Sequence, residues 1–458
     1  MHARSSMLAA GFLLSLFGAP AAGQVTSPVP ASPQVPVLTL AEVVTQTLER
    51  NPSLRAARAG RDQAAAGSTI ARAAWLPRVS FAESWQRSDQ PVFGFSTLLA
   101  ARRFQSTDFA VDRLNHPGAI NAFTSRLGIG QTLFDGGRTP AAIAAADADR
   151  AAADAAYDQA AAGVALEVAQ TYARAVSLQA AVRAAAAAVD AAAGDHARAE
   201  RRRDAGTATE ADVLAVSVHL ADMRQRRLQA EGDLAVAIAM LNRQRGAPVG
   251  DVVTVEAPAP PAAASLDVAA LTARALAGRP ELRAADAAVR RAEAEARQAR
   301  AVWWPNVSAQ AGYEWNGLTF GDRSASWMVG AEARWGLSLS SADAARVRAA
   351  GHAADAARAR RDDVRAGLEV EVLSAVRQLE AARARVDVGA EALAQATESL
   401  RIIRNRYDAG LASVTDVLRA SSAELDADAR RVAAIVDAIV ARASLERAVG
   451  AAPGEGIR

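Results

Sequence analysis

The residue types that most often carry catalysis or bind metals are sparse and scattered in this chain. The 458 residues include no cysteine and five histidines, which stand at positions 2, 116, 196, 219 and 352. No two of these histidines have the spacing that places metal ligands on one helix face. The glycine-containing stretch GIGQTLFDGG at 128–137 lacks the Lys-Ser/Thr end of a phosphate-binding loop. We therefore predict no catalytic centre, metal site or cofactor, and expect that the protein is not an enzyme.

The N-terminus has the pattern of an export signal. Arg4 precedes a short apolar run at 8–17, and small residues that suit cleavage follow. This predicts a secretory signal peptide at 1–23, with a lone N-terminal anchor as the alternative. No later apolar run approaches the ~20 residues of a membrane-spanning helix. The formal net charge of +2 argues against a nucleic-acid partner.

The rest of the chain contains two copies of one unit. RRDAGTATEADVL at 202–214 agrees with RYDAGLASVTDVL at 406–418 in eight of thirteen positions, 204 residues apart. Earlier in the copies, NPSLRAA at 51–57 matches RPELRAA at 279–285, 228 residues apart. The separation of matching residues thus falls from 228 to 204, so the first copy has 24 additional residues between these points. We expect them to form an enlarged loop in or near 90–118.

Each copy is expected to contain the same elements in the same order. The predicted divisions are a first repeat at 24–245, a Pro-rich linker at 246–266, a second repeat at 267–450 and a tail at 451–458. The predicted elements are a first helix (40–74; 267–302), strands (78–134; 306–339), a very long helix (139–204; 341–408) and a return helix (210–245; 413–449). A helix of that length extends for about 100 Å. Heptad spacing in the return helix, at Val213, Val216, Leu220 and Met223, indicates a coiled coil, and we expect the long helices to pack antiparallel within it.

The repeated Asp-Ala-Gly sequence marks the turn between the long helix and the return helix. Gly206 and Gly410 follow the long helices, where glycine allows a left-handed backbone. Asp212 and Asp416 open the return helices, where a carboxylate is favoured by the helix dipole. The sequence therefore predicts two helical hairpins, each ending in a tight tip.

Aromatic residues separate the helices from a different environment. Of the 19 aromatic residues that follow the signal, 16 lie in two windows, 75–134 and 303–335. Within these windows apolar and polar residues alternate, as in 307–315 and 327–339. Strands of about ten residues with this alternation are typical of an outer-membrane β-barrel. The expected membrane-interface aromatics are Phe81, Trp85, Phe134, Tyr313, Trp315, Trp327 and Trp335.

Periodicity also allows a soluble two-stranded ribbon with one buried face, in a periplasmic coiled-coil adaptor or scaffold protein. If the strands do span lipid, the four strands of one chain cannot close a barrel, because lipid tolerates no unpaired strand edge. Two chains would supply eight strands, whose interior fills with side chains, and three would supply twelve, with room for water. A conduit favours the trimer.

The tandem copies, LFDGG at 133–137 and the RYDAGLASVTDVL turn resemble the TolC family of outer-membrane efflux proteins, over roughly 38–450. The resemblance implies a mainly α-helical fold in which long helices form a periplasmic tunnel, continuous with a twelve-stranded trimeric barrel. It implies an outer membrane location in a Gram-negative bacterium. It also implies passive export, with docking onto a periplasmic adaptor protein and an inner-membrane transporter.

The resemblance assigns roles to the two tips. The expected adaptor-docking residues are Asp204, Gly206, Asp212, Tyr407, Asp408, Gly410 and Asp416. Asp416 matches an aspartate near the tunnel's constriction in the family. Arg419 stands where the family often has a second acidic residue, so Asp416 and Arg419 together are the candidate constriction.

Overall fold

The computed structural model describes residues 36–257, 266–336 and 341–451. The predicted signal peptide, the linker residues 258–265, the tail from 452, and Leu337 and Leu339, which were predicted to be part of the last strand, lie outside the described residues. In chain order, the strands are β1 Val37–Leu38, β2 Arg78–Ser88, β3 Ile120–Phe134, β4 Thr254–Val255, β5 Asn306–Gly317 and β6 Ser324–Arg334. The α-helices are α1 Leu40–Arg50, α2 Pro52–Ala73, α3 Pro91–Ala100, α4 Val111–Asn115, α5 Arg138–Asp204, α6 Glu210–Gln244, α7 Val268–Gly278, α8 Pro280–Arg300, α9 Ala342–Asp408 and α10 Val414–Ala448.

The first helix of each copy is broken, and the expectation of continuous helices at 40–74 and 267–302 was wrong. Asn51 and Arg279 adopt extended backbones, with ψ of 127° and 128°, directly before Pro52 and Pro280. Proline lacks an N–H and disfavours a helical conformation in the residue before it. One helix therefore ends before each of these prolines, and another begins at the proline. The side chain of Asn51 accepts a hydrogen bond from the Ser53 N–H and caps the new helix.

Two antiparallel hairpins, α5–α6 and α9–α10, form most of the molecule, as predicted. α5 and α9 each have 67 residues, which corresponds to about 100 Å of helix. Several buried positions recur 204 residues apart, among them Val168 and Val372, Tyr172 and Val376, Ala175 and Leu379, and Leu241 and Leu445, all with almost no exposed surface. Most other buried positions on these helices are alanine, which lets neighbouring helices approach closely.

By length and composition, one helix in the described ranges could cross a membrane, which the sequence had not led us to expect. It is α5, whose most apolar window has a mean hydropathy of 1.2. The value comes from its many alanines rather than from large apolar side chains. Because α5 packs along α2, α6, α8 and α10, we assign it to the helical bundle.

A small parallel pair of strands ties the predicted linker back to the first copy, and sequence analysis missed it. β1 pairs with β4, with Val37 opposite Thr254. The buried hydroxyl of Tyr172 on α5 lies 2.8 Å from the Leu38 carbonyl oxygen and 2.7 Å from that of Glu256. The hydroxyl has one hydrogen to donate and lies between the two carbonyls, so it links whichever strand it bonds to the helical core.

The four long strands form one antiparallel sheet in the order β2-β3-β5-β6. β2 and β6 are its two edges, and neither edge is paired within the described chain. The sheet joins the helices at one end, where the described connections are 74–77, 135–137 and 301–305. The sheet and the hairpin tips thus lie at opposite ends of the long helices.

Candidate functional site: hairpin tips and strand faces

The two tips have the same backbone geometry. At the first, the N–H groups of Gly206 and Thr207 donate to the carbonyls of Arg203 and Arg202, both at 2.8 Å. At the second, Gly410 and Leu411 donate to the corresponding carbonyls, at 3.0 and 2.8 Å. The two glycines have φ of +73° and +77°, the left-handed conformation that closes this type of helix end.

The return helices begin with capping boxes that the sequence analysis did not identify. The Thr209 hydroxyl accepts from the Asp212 N–H at 3.2 Å, and the Asp212 carboxylate accepts from the Thr209 N–H at 2.9 Å. Ser413 and Asp416 repeat this exchange, at 3.2 and 3.1 Å. The signal was present in the sequence as Thr-x-x-Asp and Ser-x-x-Asp, the aspartate version of a common capping motif.

The caps determine the electrostatic state of both aspartates. Hydrogen bonds from the backbone and side chain of Thr209 hold the pKa of Asp212 below its ordinary value. The Ser413 hydroxyl and backbone do the same to the pKa of Asp416. At the candidate constriction, the second oxygen of Asp416 lies 3.7 Å from the exposed Arg419 guanidinium. The Asp416 carboxylate is therefore ionised and accepts the hydrogen bonds of the cap. The positive charge of Arg419 lies close to it.

The two tips contact each other through residues of α5 and α9. The Arg202 guanidinium lies 4.5 Å from the centre of the Tyr407 ring and donates to the Tyr407 carbonyl at 2.9 Å. Arg198 lies 3.5 Å from the Asp408 carboxylate. Val213 and Val414 pack together beside them in one small apolar cluster. Of the predicted tip residues, Asp204 is exposed and contacts its neighbour Arg203 at 2.8 Å.

One face of the sheet is apolar and exposed. Cross-strand pairs put Phe81 beside Leu127, Leu127 beside Tyr313, and Tyr313 beside Trp327. Trp327 and Phe81 expose 75% and 67% of their surface, far more than side chains in a protein core. The other apolar members of this face are Val79, Trp85, Phe123, Ile129, Val307, Ala309, Ala311, Trp315, Val329, Ala331 and Ala333, and the polar residues on it are Glu83, Arg87, Asn121, Ser125 and Gln131.

Two of the predicted interface aromatics reach their positions in ways that alternation alone did not predict. A register shift between Thr132 and Phe134 places Phe134 opposite Val307, on the apolar face. A β-bulge of this kind moves the following side chain to the other face. Trp335 lies directly after β6 and is exposed.

The opposite face of the sheet is polar. Arg126 of β3 forms an ion pair with Glu314 of β5, and the Thr124 hydroxyl donates to Asn316 at 2.8 Å. Further members are Ser80, Ser84, Gln86, Thr132, Ser308, Gln310, Ser324, Ser326, Glu332 and Arg334. A sheet with one exposed apolar face and one polar face suits a wall between lipid and water.

The sheet joins α5 at Asp135-Gly136-Gly137. The Asp135 carboxylate accepts from the Thr139 N–H at 2.7 Å and so caps the start of α5. Gly136 has φ of +67°, and an added Cβ would lie 2.5 Å from the Cβ of Trp304. The second glycine, Gly137, has φ of +86° but open space around it. The LFDGG sequence therefore marks a tight junction between sheet and helix.

Comparisons with known proteins agree with this architecture. Residues 43–247 and 271–451 match the family described as outer membrane efflux protein. The chain is 30% identical over 308 residues to protein CyaE of Bordetella pertussis, over 66% of this chain and 65% of CyaE. The chain thus spans just under two thirds of that relative's length.

Two solved structures show the same fold. The outer membrane protein VceC of Vibrio cholerae superposes with a TM-score of 0.74 at 22% identity, over 90% of this chain and 96% of VceC. A membrane protein of Pseudomonas aeruginosa gives a TM-score of 0.77 at 18% identity, over 96% and 98% of the two chains. The resemblance drawn from the sequence is confirmed, and so is the combination of long helices with a barrel sheet. The chain belongs to the outer membrane efflux protein family, a family of channels, and it lies in the outer membrane with its helices extending into the periplasm.

Proposed function

We propose that three copies of this chain form a passive duct from the periplasm to the cell exterior. The observation that carries the proposal is the four-stranded sheet with one exposed apolar face, one polar face and two unpaired edges. In lipid each edge needs a partner strand. Pairing β6 of one copy with β2 of the next gives twelve strands from three copies, a barrel wide enough for a water-filled lumen.

The long helices also have apolar surface that a second copy would cover. On α6, exposed Leu214 and Val218 lie one turn apart near the tip, and Val236 and Met240 lie one turn apart near the other end. Val370 and Leu373 are similarly exposed on α9. Because large apolar side chains at helical spacing favour helix packing, these stripes support a tunnel wall shared between copies.

The free ends of the hairpins suit the docking of a periplasmic adaptor protein, which would link the duct to an inner-membrane transporter. Two tips per chain and three chains present six similar turns. The proposed docking residues are Asp204, Gly206, Asp212, Tyr407, Asp408, Gly410 and Asp416. Asp416 and Arg419 are the proposed constriction of the tunnel.

Location and assembly test the duct directly. Outer membranes washed with carbonate should retain the protein, and unheated detergent extracts should contain a particle with the mass of three chains. A soluble periplasmic protein or a stable monomer would contradict the proposal. The alternative, a soluble adaptor or scaffold, is not favoured, because its strands would have no reason to expose Phe81, Trp85 and Trp327.

A further inference from the structure

The segment between β2 and β3, residues 89–119, is a folded unit rather than the simple loop that the sequence analysis expected. We call it the mouth segment. It contains α3, a short 3-10 helix at Ser106–Phe109, and α4. The Phe104 ring packs edge-on against Phe95 and Phe109, with centroid distances of 5.0 and 4.9 Å. These contacts give the segment a fixed shape at the end of the sheet farthest from the helices.

The mouth segment crosses the sheet from one edge to the other. It leaves β2, which is one edge, and contacts the start of β6, which is the other. The Ser324 hydroxyl donates to the Ala101 carbonyl at 2.8 Å, and the Arg102 guanidinium donates to the Ala325 carbonyl at 3.0 Å. Arg103 also forms an ion pair with Asp322 in the β5–β6 turn.

The contacts place the mouth segment on the polar side of the sheet. Ser324 pairs with Asn316, which accepts the Thr124 hydroxyl hydrogen bond on the polar face. The preceding residue, Arg323, turns to the apolar side, where it lies 3.1 Å from Glu83. Since the hydroxyl of Ser324 holds the end of α3, that helix lies over the polar face.

The backbone at Arg102 indicates that this attachment is specific. α3 ends with hydrogen bonds from the N–H groups of Arg102 and Arg103 to the carbonyls of Leu99 and Leu98, at 3.0 and 2.8 Å. The left-handed position of such a helix end normally holds glycine. Arg102 occupies it with φ of +55°, which is unfavourable for a side chain with a Cβ. Its guanidinium, however, reaches the Ala325 carbonyl, which glycine could not do.

The mouth segment also has apolar side chains that no other described residue of the chain covers. Val92 and Val111 each expose 73% of their surface, and Phe109 exposes 64%. The segment is fixed to β6, the edge strand that would join the next copy in a closed barrel. A second copy of the same segment is therefore the nearest available partner for these side chains.

We propose that the mouth segments of three copies fold inward over the polar face, contact one another through these apolar side chains, and narrow the outer exit of the duct. This inference rests on the trimeric duct proposed above. It assigns an exit constriction to the end of the molecule opposite the hairpin tips. The apolar contacts close the ring, and Arg102 anchors each copy to the sheet.

A thiol probe on the polar face tests the constriction. The chain has no native cysteine, so Ser308→Cys places a single thiol on the polar face, deep below the mouth segment. Whole cells are treated with a small maleimide or with a maleimide attached to a large polyethylene glycol. With the intact segment, the small reagent should label the thiol and the large reagent should not.

Two changes to the segment should admit the large reagent. The first replaces residues 90–118 with an Asn-Gly turn, which suits a direct hairpin between β2 and β3. The second combines Arg102→Gly with Arg103→Met, which removes the contacts with the Ala325 carbonyl and the Asp322 carboxylate and leaves the length of the segment unchanged. If the large reagent labels Ser308→Cys equally with and without these changes, the exit constriction is wrong and the duct stands. If the large reagent labels none of the variants, the exit constriction is also wrong. If the same samples also contain no trimer, the duct itself is contradicted.

Cross-linking tests the contact between copies. Val111→Cys in the mouth segment should form disulfide-linked dimers on mild oxidation. Val252→Cys is the matched control, since it replaces the same residue type at the same exposure of 73% near β4. Equal cross-linking at both positions, or none at Val111→Cys, would overturn the proposed contact.

Discussion

The Arg202 guanidinium of one hairpin lies 4.5 Å from the centre of the Tyr407 ring of the other, and also donates to the Tyr407 carbonyl at 2.9 Å. The contact joins the last turns of α5 and α9, directly before both tips. One guanidinium of the first hairpin thus contacts both a ring and a backbone acceptor of the second. The relative position of the two tips within a chain thus depends on a few polar contacts and on the small apolar cluster that contains Val213 and Val414.

Replacing Arg202 should loosen the pair of tips without preventing assembly. A cation–π contact at a partly exposed site contributes about 0.5–1 kcal/mol, which is small against the folding free energy of the whole chain. We expect Arg202→Met to assemble as a trimer and to conduct ions more readily in a planar bilayer. Arg201→Met is the control, because Arg201 is exposed and adjacent. Equal conductance of the two variants would exclude a role of the Arg202–Tyr407 contact in closing the tunnel.

The second tip should tolerate asparagine but not valine at Gly410. The backbone there is left-handed, with φ of +77° and open space around the missing side chain. A β-branched residue is strained in that conformation by roughly 1–2 kcal/mol, whereas asparagine adopts it more readily. We expect Gly410→Val combined with Asp416→Ala to assemble but to lose export, and Gly410→Asn to retain both. Normal export by the double variant would remove the docking role, and loss of the trimer would show that the turn serves folding.

The capping aspartates should make the tips sensitive to acid. The pKa values of Asp212 and Asp416 are lowered from the ordinary 3.8 by their cap hydrogen bonds. A lowered pKa means that the stabilisation is present above pH 3.8 and is lost as the pH falls through the lowered value. The protection factors for amide hydrogen exchange at 205–213 and 409–417, corrected for the intrinsic exchange rate at each pH, should therefore fall in that range. Asp212→Asn and Asp416→Asn should each remove the acid-dependent change in hydrogen exchange at their own tip. If that change persists at the substituted tip, the capping aspartate is not its cause.

Tyr172 should make the protein less stable at high pH. Burial raises the pKa of its hydroxyl from 10.0 to about 12, so its contribution is complete below pH 10 and falls as the pH rises towards 12. The chain has no lysine, and arginine stays charged in this range. We expect Tyr172→Phe to lower stability by about 1 kcal/mol at neutral pH, as for a lost hydrogen bond. Above pH 10, the unfolding midpoint of the Tyr172→Phe variant should depend less on pH than that of the unchanged protein. The same pH dependence in both proteins would refute the explanation.

The two glycines of LFDGG should differ sharply when each is replaced by alanine. Both have positive φ, so each substitution strains the backbone by roughly 1–2 kcal/mol. Only the Cβ at position 136 would meet Trp304, at 2.5 Å, and the Ala301 carbonyl, at 2.9 Å. We expect Gly136→Ala to cost about 1–3 kcal/mol more than Gly137→Ala, as overpacking does. Thermal dissociation of the trimer measures the difference. Equal losses of stability in the two variants would show that Trp304 can move away from the added Cβ at little cost.

Much of the architecture followed from the sequence because it depends on local patterns. The long helices end at Asp204 and Asp408, as the Asp-Ala-Gly sequences predicted, since glycine at the next turn allows the left-handed backbone. The apolar face of the sheet followed from alternation, because successive strand side chains point to opposite faces. The duplication was visible in the sequence for the same reason, as both copies repeat the same local signals.

Other features depend on contacts between residues distant in the sequence, and only the tertiary structure decided them. Tyr172 meets the Glu256 carbonyl across 84 positions, Arg202 meets Tyr407 across 205, and Ser324 meets Ala101 across 223. No local periodicity encodes such pairs, because they arise when the packed helices and the folded sheet bring separate segments together. The breaks at Pro52 and Pro280 are local and could have been predicted. By itself, then, the sequence determined the elements and their order, and the packing of the two copies decided which side chains meet.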